Sequence, residues 1–358
     1  MENAISIKEK FNKLGFDLIG FSKPELEQKV SKNFKNRYKN NDLPPFLHPN
    51  IEGILDPKKE ARWVKSIIVV GLSYASSSNQ STDGFISRYS RGNDYHQVMK
   101  RKIKKGIKVL NKLYDNLKYS YYVDNGPVLE KALAQQAGLG WIGKNTLLIN
   151  EKYGSYIFLG EIFINKELPF DKPADNKCGS CNLCRKNCPT DSLQTPYYLN
   201  YRTCRSNLTQ LKGILNEEEE KLIGNCIWGC DNCQVACPFN KEIPKDLHPE
   251  FASKIRGDIT EILNYRRKNF PKKWLNTALS WRGMRVIQRN ALISLNNLGL
   301  KKTEYRDLVM KKMKDNSPIL RYYAYKTYLS LGFDINLIKD IIKSENEVNL
   351  EKILKGSD

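Results

Sequence analysis

The sequence predicts a multidomain α+β protein. A mixed helix–strand region spans residues 1–170, a cysteine-rich insert spans 171–245 and an all-helical region spans 246–358. Three observations carry this. All nine cysteines of the 358 residues lie between Cys178 and Cys237. The region before them alternates β-branched runs with amphipathic stretches, and the region after them shows helical periodicity alone.

The first region reads in order. Glu9 to Gly15 has an amphipathic helical pattern. Ser66 to Leu72 is a β-branched run with the composition of a buried strand. Asp94 to Leu117 predicts a long basic helix, Tyr121 to Val123 a short strand, and Leu129 to Ala137 a helix stopped by Gly138. Thr146 to Ile149 and Ser155 to Ile164 read as paired strands turning near Lys152 to Gly154. In the last region Met284 to Leu298 and Pro318 to Leu331 recur with the same apolar period and a terminal Leu-Gly. That recurrence points to a short helical solenoid of HEAT-like units.

The insert carries the most specific signal. Its first run is Cys178-x2-Cys181-x2-Cys184-x3-Cys188-Pro189, and its second is Cys230-x2-Cys233-x3-Cys237-Pro238. The first has the spacing of a two-cluster bacterial ferredoxin, in which three cysteines hold one iron–sulfur cluster and the fourth holds the other. Disulfides would imply an oxidising compartment, and the N-terminus has no apolar core of signal-peptide length. Zinc ribbons use two Cys-x2-Cys pairs with a long spacer, which fits less well. Crossed ligation assigns Cys178, Cys181, Cys184 and Cys237 to one 4Fe–4S cluster. Cys188, Cys230 and Cys233 hold three corners of a second, and spacing leaves its fourth ligand open between Cys204 and Cys226.

The formal charge of +20 favours a polyanionic partner, nucleic acid first. Residues 264–326 hold sixteen Lys and Arg against three acidic residues. Tyr265, Phe270, Trp274, Trp281, Tyr305, Tyr322, Tyr323 and Tyr325 interleave with them. Basic groups neutralise phosphates and aromatics stack on splayed bases, although the same aromatics suit helix packing. No stretch reaches the ~20 apolar residues of a membrane span, so a cytoplasmic protein without a membrane partner is expected.

Two motifs nearly match known ones. Gly138 to Asn145 resembles a phosphate-binding loop, but Asn145 stands where Ser or Thr should bind magnesium. A helix also precedes it, where a strand should. Asp94-x-His96-x-x-Met99 resembles a cobalt-ligating signature but lacks its glycine and falls on a helix. His96 therefore reads as a surface or packing residue.

Seven segments jointly resemble the epoxyqueuosine reductases, cobalamin-dependent enzymes of tRNA modification. They are Arg88–His96, Val123–Glu130, Ala137–Thr146, Tyr153–Ser155, Cys178–Thr190, Gly229–Gln234 and Arg289–Ala291. The resemblance implies reduction of epoxyqueuosine to queuosine at the tRNA wobble position. It implies a nitroreductase-like N-terminal fold holding cobalamin without a histidine on the cobalt, a ferredoxin-like insert with two 4Fe–4S clusters, and HEAT-like C-terminal helices. It makes Cys204 the fourth ligand of the second cluster, beside Cys188, Cys230 and Cys233, and leaves Cys226 a spare thiol. Asp124 aligns with the family's proton donor, which requires an apolar, water-poor pocket.

Arg88, Asp124, Lys144, Asn145, Thr146, Leu148, Ser155, Ser206 and Asn207 are the implied cobalamin contacts. Arg282, Arg285, Arg289 and Asn290 are the implied tRNA contacts. The implied partners are queuosine-type tRNAs and an external low-potential electron donor, with the protein acting as a monomer. Two other readings share some of these features. One is a cytoplasmic reductive dehalogenase-like corrinoid enzyme acting on a small molecule, and the other is a non-enzymatic iron–sulfur RNA-binding electron carrier.

Overall fold

A computed structural model describes residues 2–77, 82–266 and 269–345. Its strands are β1 (Leu18–Ser22), β2 (Ser66–Ser73), β3 (Phe85–Ile86), β4 (Tyr119–Tyr122), β5 (Trp141–Ile142), β6 (Leu148–Ile149), β7 (Ile157–Ile164) and β8 (Cys226–Trp228). The chain divides into two compact units, each built from three separate stretches. The first comprises residues 1–77, 93–201 and 232–252, and the second 78–92, 202–231 and 253–358. The sequence suggested three consecutive segments. Spatial contact follows a different division, and the cysteine-rich stretch is shared between the two units.

The first unit is organised by an antiparallel sheet in the order β1-β2-β7-β4. Every residue of β2 is buried, so its Val/Ile run packs on both faces. One face meets Val128, Leu133, Ala134, Ala137 and Leu139, around the helix Glu130–Gln136. The long basic helix runs from Tyr95 to Leu113, capped by the Asp94 side chain, and buries Val98, Met99, Ile103, Ile107 and Leu110. The N-terminal helix is longer than its sequence pattern, Glu2–Lys13, and strand β1 carries no comparable sequence signal.

One predicted pairing is wrong. Leu148–Ile149 pairs with Trp141–Ile142 rather than with β7. β7 instead lies between β2 and β4. Periodicity identifies strands but not their partners, and a single bridge between Asn150 and Gly154 is all that joins the expected turn. Gly154, at φ 62, has a second constraint: a Cβ there would stand 2.0 Å from Asn240 Oδ1.

The second unit pairs β3 with β8 in parallel. Its helices include Ile259–Asn264, Met284–Asn297, Thr303–Lys312 and Pro318–Ser330. The two expected helices are there, each followed by a left-handed glycine, Gly299 at φ 61 and Gly332 at φ 64. Their core includes Trp228, Trp274, Ile287, Leu292, Tyr323 and Tyr328. No helix among the described residues is long and apolar enough to cross a membrane.

Candidate functional site

Of the six cysteines in the first unit, Cys178, Cys181, Cys184 and Cys237 act on one another. Cys178 and Cys237 pack beside Trp141 and Ile149 of the β5–β6 hairpin. Burial pushes the Cys237 thiol up, and the neighbouring Cys178, Cys184 and Cys181 thiols add to the shift. Cys184 is raised by the same kind of surroundings. Among the described residues no three His, Cys, Asp or Glu side chains converge on one ion.

Lys144, expected as a cobalamin contact, is spent on this loop. Its ammonium donates to the carbonyls of Gly179 at 2.7 Å and Cys181 at 2.8 Å. Ser155 is likewise enclosed: Asn240 and Gln234 amides donate to its Oγ at 2.9 and 3.1 Å. Leu148 is a core residue, 4% exposed.

Cys188 and Cys233 belong to the first unit, and Cys204 and Cys230 to the second. Within the second unit the Cys226 thiol is buried and held up by its hydrogen bond with Cys230, with burial adding to the shift. Arg88 is also in this unit, ion-paired with Asp231 at 3.2 Å.

Asp124 sits two residues past β4 in a left-handed turn at φ 62. Aspartate tolerates that conformation better than most side chains. The turn is held from two sides. The Asp124 amide donates to Glu130 Oε1 at 2.5 Å, and Asp124 Oδ2 lies 3.3 Å from His96 Nε2. The other imidazole nitrogen, Nδ1, is 2.6 Å from Asp94 Oδ1. Burial alone would lower the imidazole's pKa, but the bonds to Asp124 and Asp94 overcome it and raise it to about 9. Both nitrogens then donate at neutral pH. His96 is therefore a partner of the candidate acid, not the bystander its failed motif implied. The Asp124 side chain is 52% exposed, so the protein by itself does not supply the water-poor surroundings expected of it.

Behind the turn, Glu161 is fully buried on β7, opposite Tyr122 of β4. Burial drives its carboxyl well above the usual range, and the Glu130 and Asp124 charges push the same way. Sequence reasoning missed Glu161. Its signal was legible: it is the lone charge in the run Ile157–Ile164.

In the second unit two of the four expected tRNA contacts are corrected. Arg289 is 1% exposed and Asn290 0%. Arg289 donates to Gly213 O at 2.9 Å and to Asn290 Oδ1, and Asn290 Nδ2 donates to the Thr209 and Ile227 carbonyls. Both brace the unit's interior and present nothing to a ligand. Arg285 is exposed, and Arg282, partly buried, stacks 4.0 Å over Trp281. Of the interleaved aromatics, Phe270, Trp274, Tyr305, Tyr323 and Tyr325 are core, whereas Trp281 is 54% exposed.

Comparison with known proteins agrees with these arrangements. Residues 55–125 match the family described as epoxyqueuosine reductase QueG, DUF1730, and residues 177–240 match a 4Fe-4S double cluster binding domain. The epoxyqueuosine reductase of Lactococcus garvieae is 36% identical over 305 residues, 82% of this chain and 87% of its own. The chain belongs to the epoxyqueuosine reductase family. It is thus an oxidoreductase with a double-cluster 4Fe–4S domain.

The epoxyqueuosine reductase of Bacillus subtilis is 32% identical, over 99% of this chain and 96% of its own. A crystal structure of epoxyqueuosine reductase with an epoxyqueuosine-modified tRNA-Tyr stem loop superposes with a TM-score of 0.92. It is 30% identical and covers 99% of this chain and 97% of its own. A Bacillus subtilis epoxyqueuosine reductase structure, with its catalytic aspartate loop swung out of the active site, gives a TM-score of 0.90 at 29% identity. It too covers 99% of this chain and 97% of its own.

Proposed function

We propose that this protein reduces epoxyqueuosine to queuosine at the wobble position of tRNA, the last step of queuosine biosynthesis. The observation that carries this is the likeness, over 99% of the chain, to a structure solved with an epoxyqueuosine-modified stem loop. Removing the epoxide oxygen consumes two electrons and two protons and releases water. No side chain stores the electrons. They enter from an external low-potential donor through two 4Fe–4S clusters, one held by Cys178, Cys181, Cys184 and Cys237, the other by Cys188, Cys204, Cys230 and Cys233.

Bound cobalamin would supply the two-electron reducing centre at the epoxide. The side chains present suit such a group, with its carboxamide and phosphate rim. Among the described residues, Asn145 Nδ2 is a buried donor without a partner, and Asn207 Oδ1 a buried acceptor without one. Buried polar atoms are normally satisfied, so unspent ones mark places for a ligand. Thr146, at φ 64, holds the Asn145 turn in a conformation that non-glycine residues rarely adopt. With Arg88, Lys144, Leu148 and Ser155 engaged within the protein, Asn145, Thr146, Ser206 and Asn207 remain the contacts this reading uses.

Asp124 donates the proton to the opening epoxide oxygen, which is a poor leaving group as an alkoxide. The His96 imidazolium beside it is the neighbouring proton source. Arg282 and Arg285 contact tRNA phosphates. In this reading the first region is nitroreductase-like, the insert ferredoxin-like and the C-terminal helices HEAT-like, in a cytoplasmic monomer.

Anaerobic reconstitution with iron, sulfide and cobalamin, followed by nucleoside analysis of epoxyqueuosine-containing tRNA, tests the proposal. Queuosine should form only when cobalamin and a low-potential reductant are both present. Protein loaded with both clusters and a corrinoid that yields no queuosine would overturn it.

A further inference from the structure

Two acidic residues near the candidate acid have no assigned role. Glu161 is fully buried at the middle of the sheet, and among the described residues neither of its carboxyl oxygens accepts a hydrogen bond from a donor. Its polar neighbour is the carboxyl of Glu130, within hydrogen-bonding reach. Two ionised carboxylates have no hydrogen to share, so such a contact needs a proton on one of them. Glu130 faces two ways. One oxygen accepts the Asp124 amide, and the carboxyl also meets Glu161. Asp124 itself occupies a left-handed backbone conformation, and the hydrogen bond from its amide to Glu130 is one of the contacts that hold the turn.

We propose that Glu130 and Glu161 form a one-proton latch that holds the Asp124 turn in place, and that loss of the shared proton releases the turn. With one proton, the neutral carboxyl donates to its partner, which is left with an oxygen for the Asp124 amide. With none, the negative charge of the fully buried Glu161 stands against that of the half-buried Glu130 and beside a third carboxylate, and the exposed turn is the part free to move. Both residues are positioning residues and touch no reacting atom.

The electrostatics agree. Burial, and then the Asp124 charge, push the Glu130 carboxyl up to about 8. Tyr122, directly across from Glu161 on β4, is held up by burial and donates its hydroxyl to Glu60 Oε1 at 3.0 Å. The charged groups that act on the pair come from neighbouring elements. Asp124 comes from the turn after β4, and His96 from the helix Tyr95–Leu113, which also carries the Asp94 contact at its start. Lys131 follows Glu130 and turns its ammonium to the Thr146 carbonyl at 2.7 Å. His96 and Lys131 lower the Glu130 carboxyl, but not enough to offset burial.

The inference rests on Asp124 being the acid, and the test separates the two claims. The cofactor-loaded, full-length protein is followed by hydrogen exchange over residues 122–127, corrected for intrinsic rates, and by the pH profile of queuosine formation. In the wild type, protection of the Asp124 amide and the reaction rate should fall together at alkaline pH. Glu161→Gln gives Glu130 a donor that cannot be titrated, so protection should persist and the alkaline limb should move up by about one pH unit or more. Glu130→Ala should leave the amide unprotected at every pH.

Should Glu161→Gln fail to fold, Glu130→Gln carries the test, because it keeps an acceptor for the amide without the charge. Its protection should then be independent of pH. His96 is unchanged in all these variants, so any shift belongs to the pair. A Glu161→Gln or Glu130→Gln variant that follows the wild type in both readouts would overturn the latch, as would a fully protected Glu130→Ala. Asp124→Asn leaves the latch groups in place. Normal turnover by that variant, with its amide still protected, would remove the acid reading and leave the latch standing.

Discussion

The cysteine cradle and the acid turn lie in the same unit and are assembled in opposite ways. Three of the cradle's four thiols come from one seven-residue run, Cys178 to Cys184, and only Cys237 arrives from elsewhere. Chain geometry alone brings most of that site together. The acid turn draws Asp124 from the end of β4, His96 and Asp94 from the start of a long helix, Glu130 from a short helix and Glu161 from the sheet's interior. Two local pairs, Asp94 with His96 and Asp124 with Glu130, are brought to each other and to Glu161 only by the fold. The cradle should therefore lose a whole function when one ligand is removed. The acid turn should show graded losses according to how directly each group meets Asp124.

The largest effect sharpens the first half of that contrast. Cys237→Ser should abolish the first cluster, giving loss of about half the bound iron and no turnover. Full iron content in that variant would break the crossed assignment.

Glu130→Ala removes the acceptor for the Asp124 amide without touching a reacting atom. Misplacing the acid should cost about 10²-fold in kcat, with cluster and cobalamin content unchanged. An unaltered kcat would show that the turn needs no brace.

A third test concerns the second unit. Arg289→Ala strands the Gly213 carbonyl and the Asn290 side chain, and should cost about 2 kcal/mol of stability in thermal or denaturant unfolding. Any tRNA-affinity change should follow unfolding alone. Arg285→Ala should do the reverse: stability within about 0.5 kcal/mol, and a salt dependence of tRNA binding shallower by about one unit of slope. A normal salt slope in Arg285→Ala would leave that arginine without a phosphate.

The smallest effect is on stability against pH. Glu130 is raised from 4.5 to about 8, so its contribution is complete below 4.5 and lost as pH climbs through 8. His96 is raised from 6.5 to about 9, so its contribution is complete below 6.5 and lost through 9. Both slopes have one sign. The unfolding temperature of the first unit should decline from about pH 5 to about pH 9, and Glu161→Gln should flatten the decline. A midpoint that rises across this range would contradict the buried-pair reading.

The same contrast explains what the sequence disclosed. Cysteine spacing is a local property, and it marked the double-cluster domain that residues 177–240 match, while leaving the second cluster's fourth ligand open. The buried Val/Ile run of β2 and the glycine stops after the C-terminal helices were legible for the same reason. Strand partners were not, because a period of two says nothing about which strand lies alongside, and β6 was matched to β7 instead of β5. His96 was discounted because the motif around it failed as a metal ligand, although its bond to Asp124 is tertiary. Arg289 and Asn290 were read as nucleic-acid contacts because basic and amide side chains look alike on either face of a helix. Only packing shows that theirs faces the interior. Glu161 could have been found, since a lone carboxylate in an apolar strand marks either a partner or a function.

The most direct test of the account is the turnover of Asp124→Asn after anaerobic loading, measured as queuosine formed per enzyme on epoxyqueuosine-containing tRNA. Full iron and cobalamin content, normal tRNA binding and no detectable queuosine are expected. Near-normal turnover by the same loaded variant would contradict it, because the proton would then come from a group other than the one this turn is built to hold.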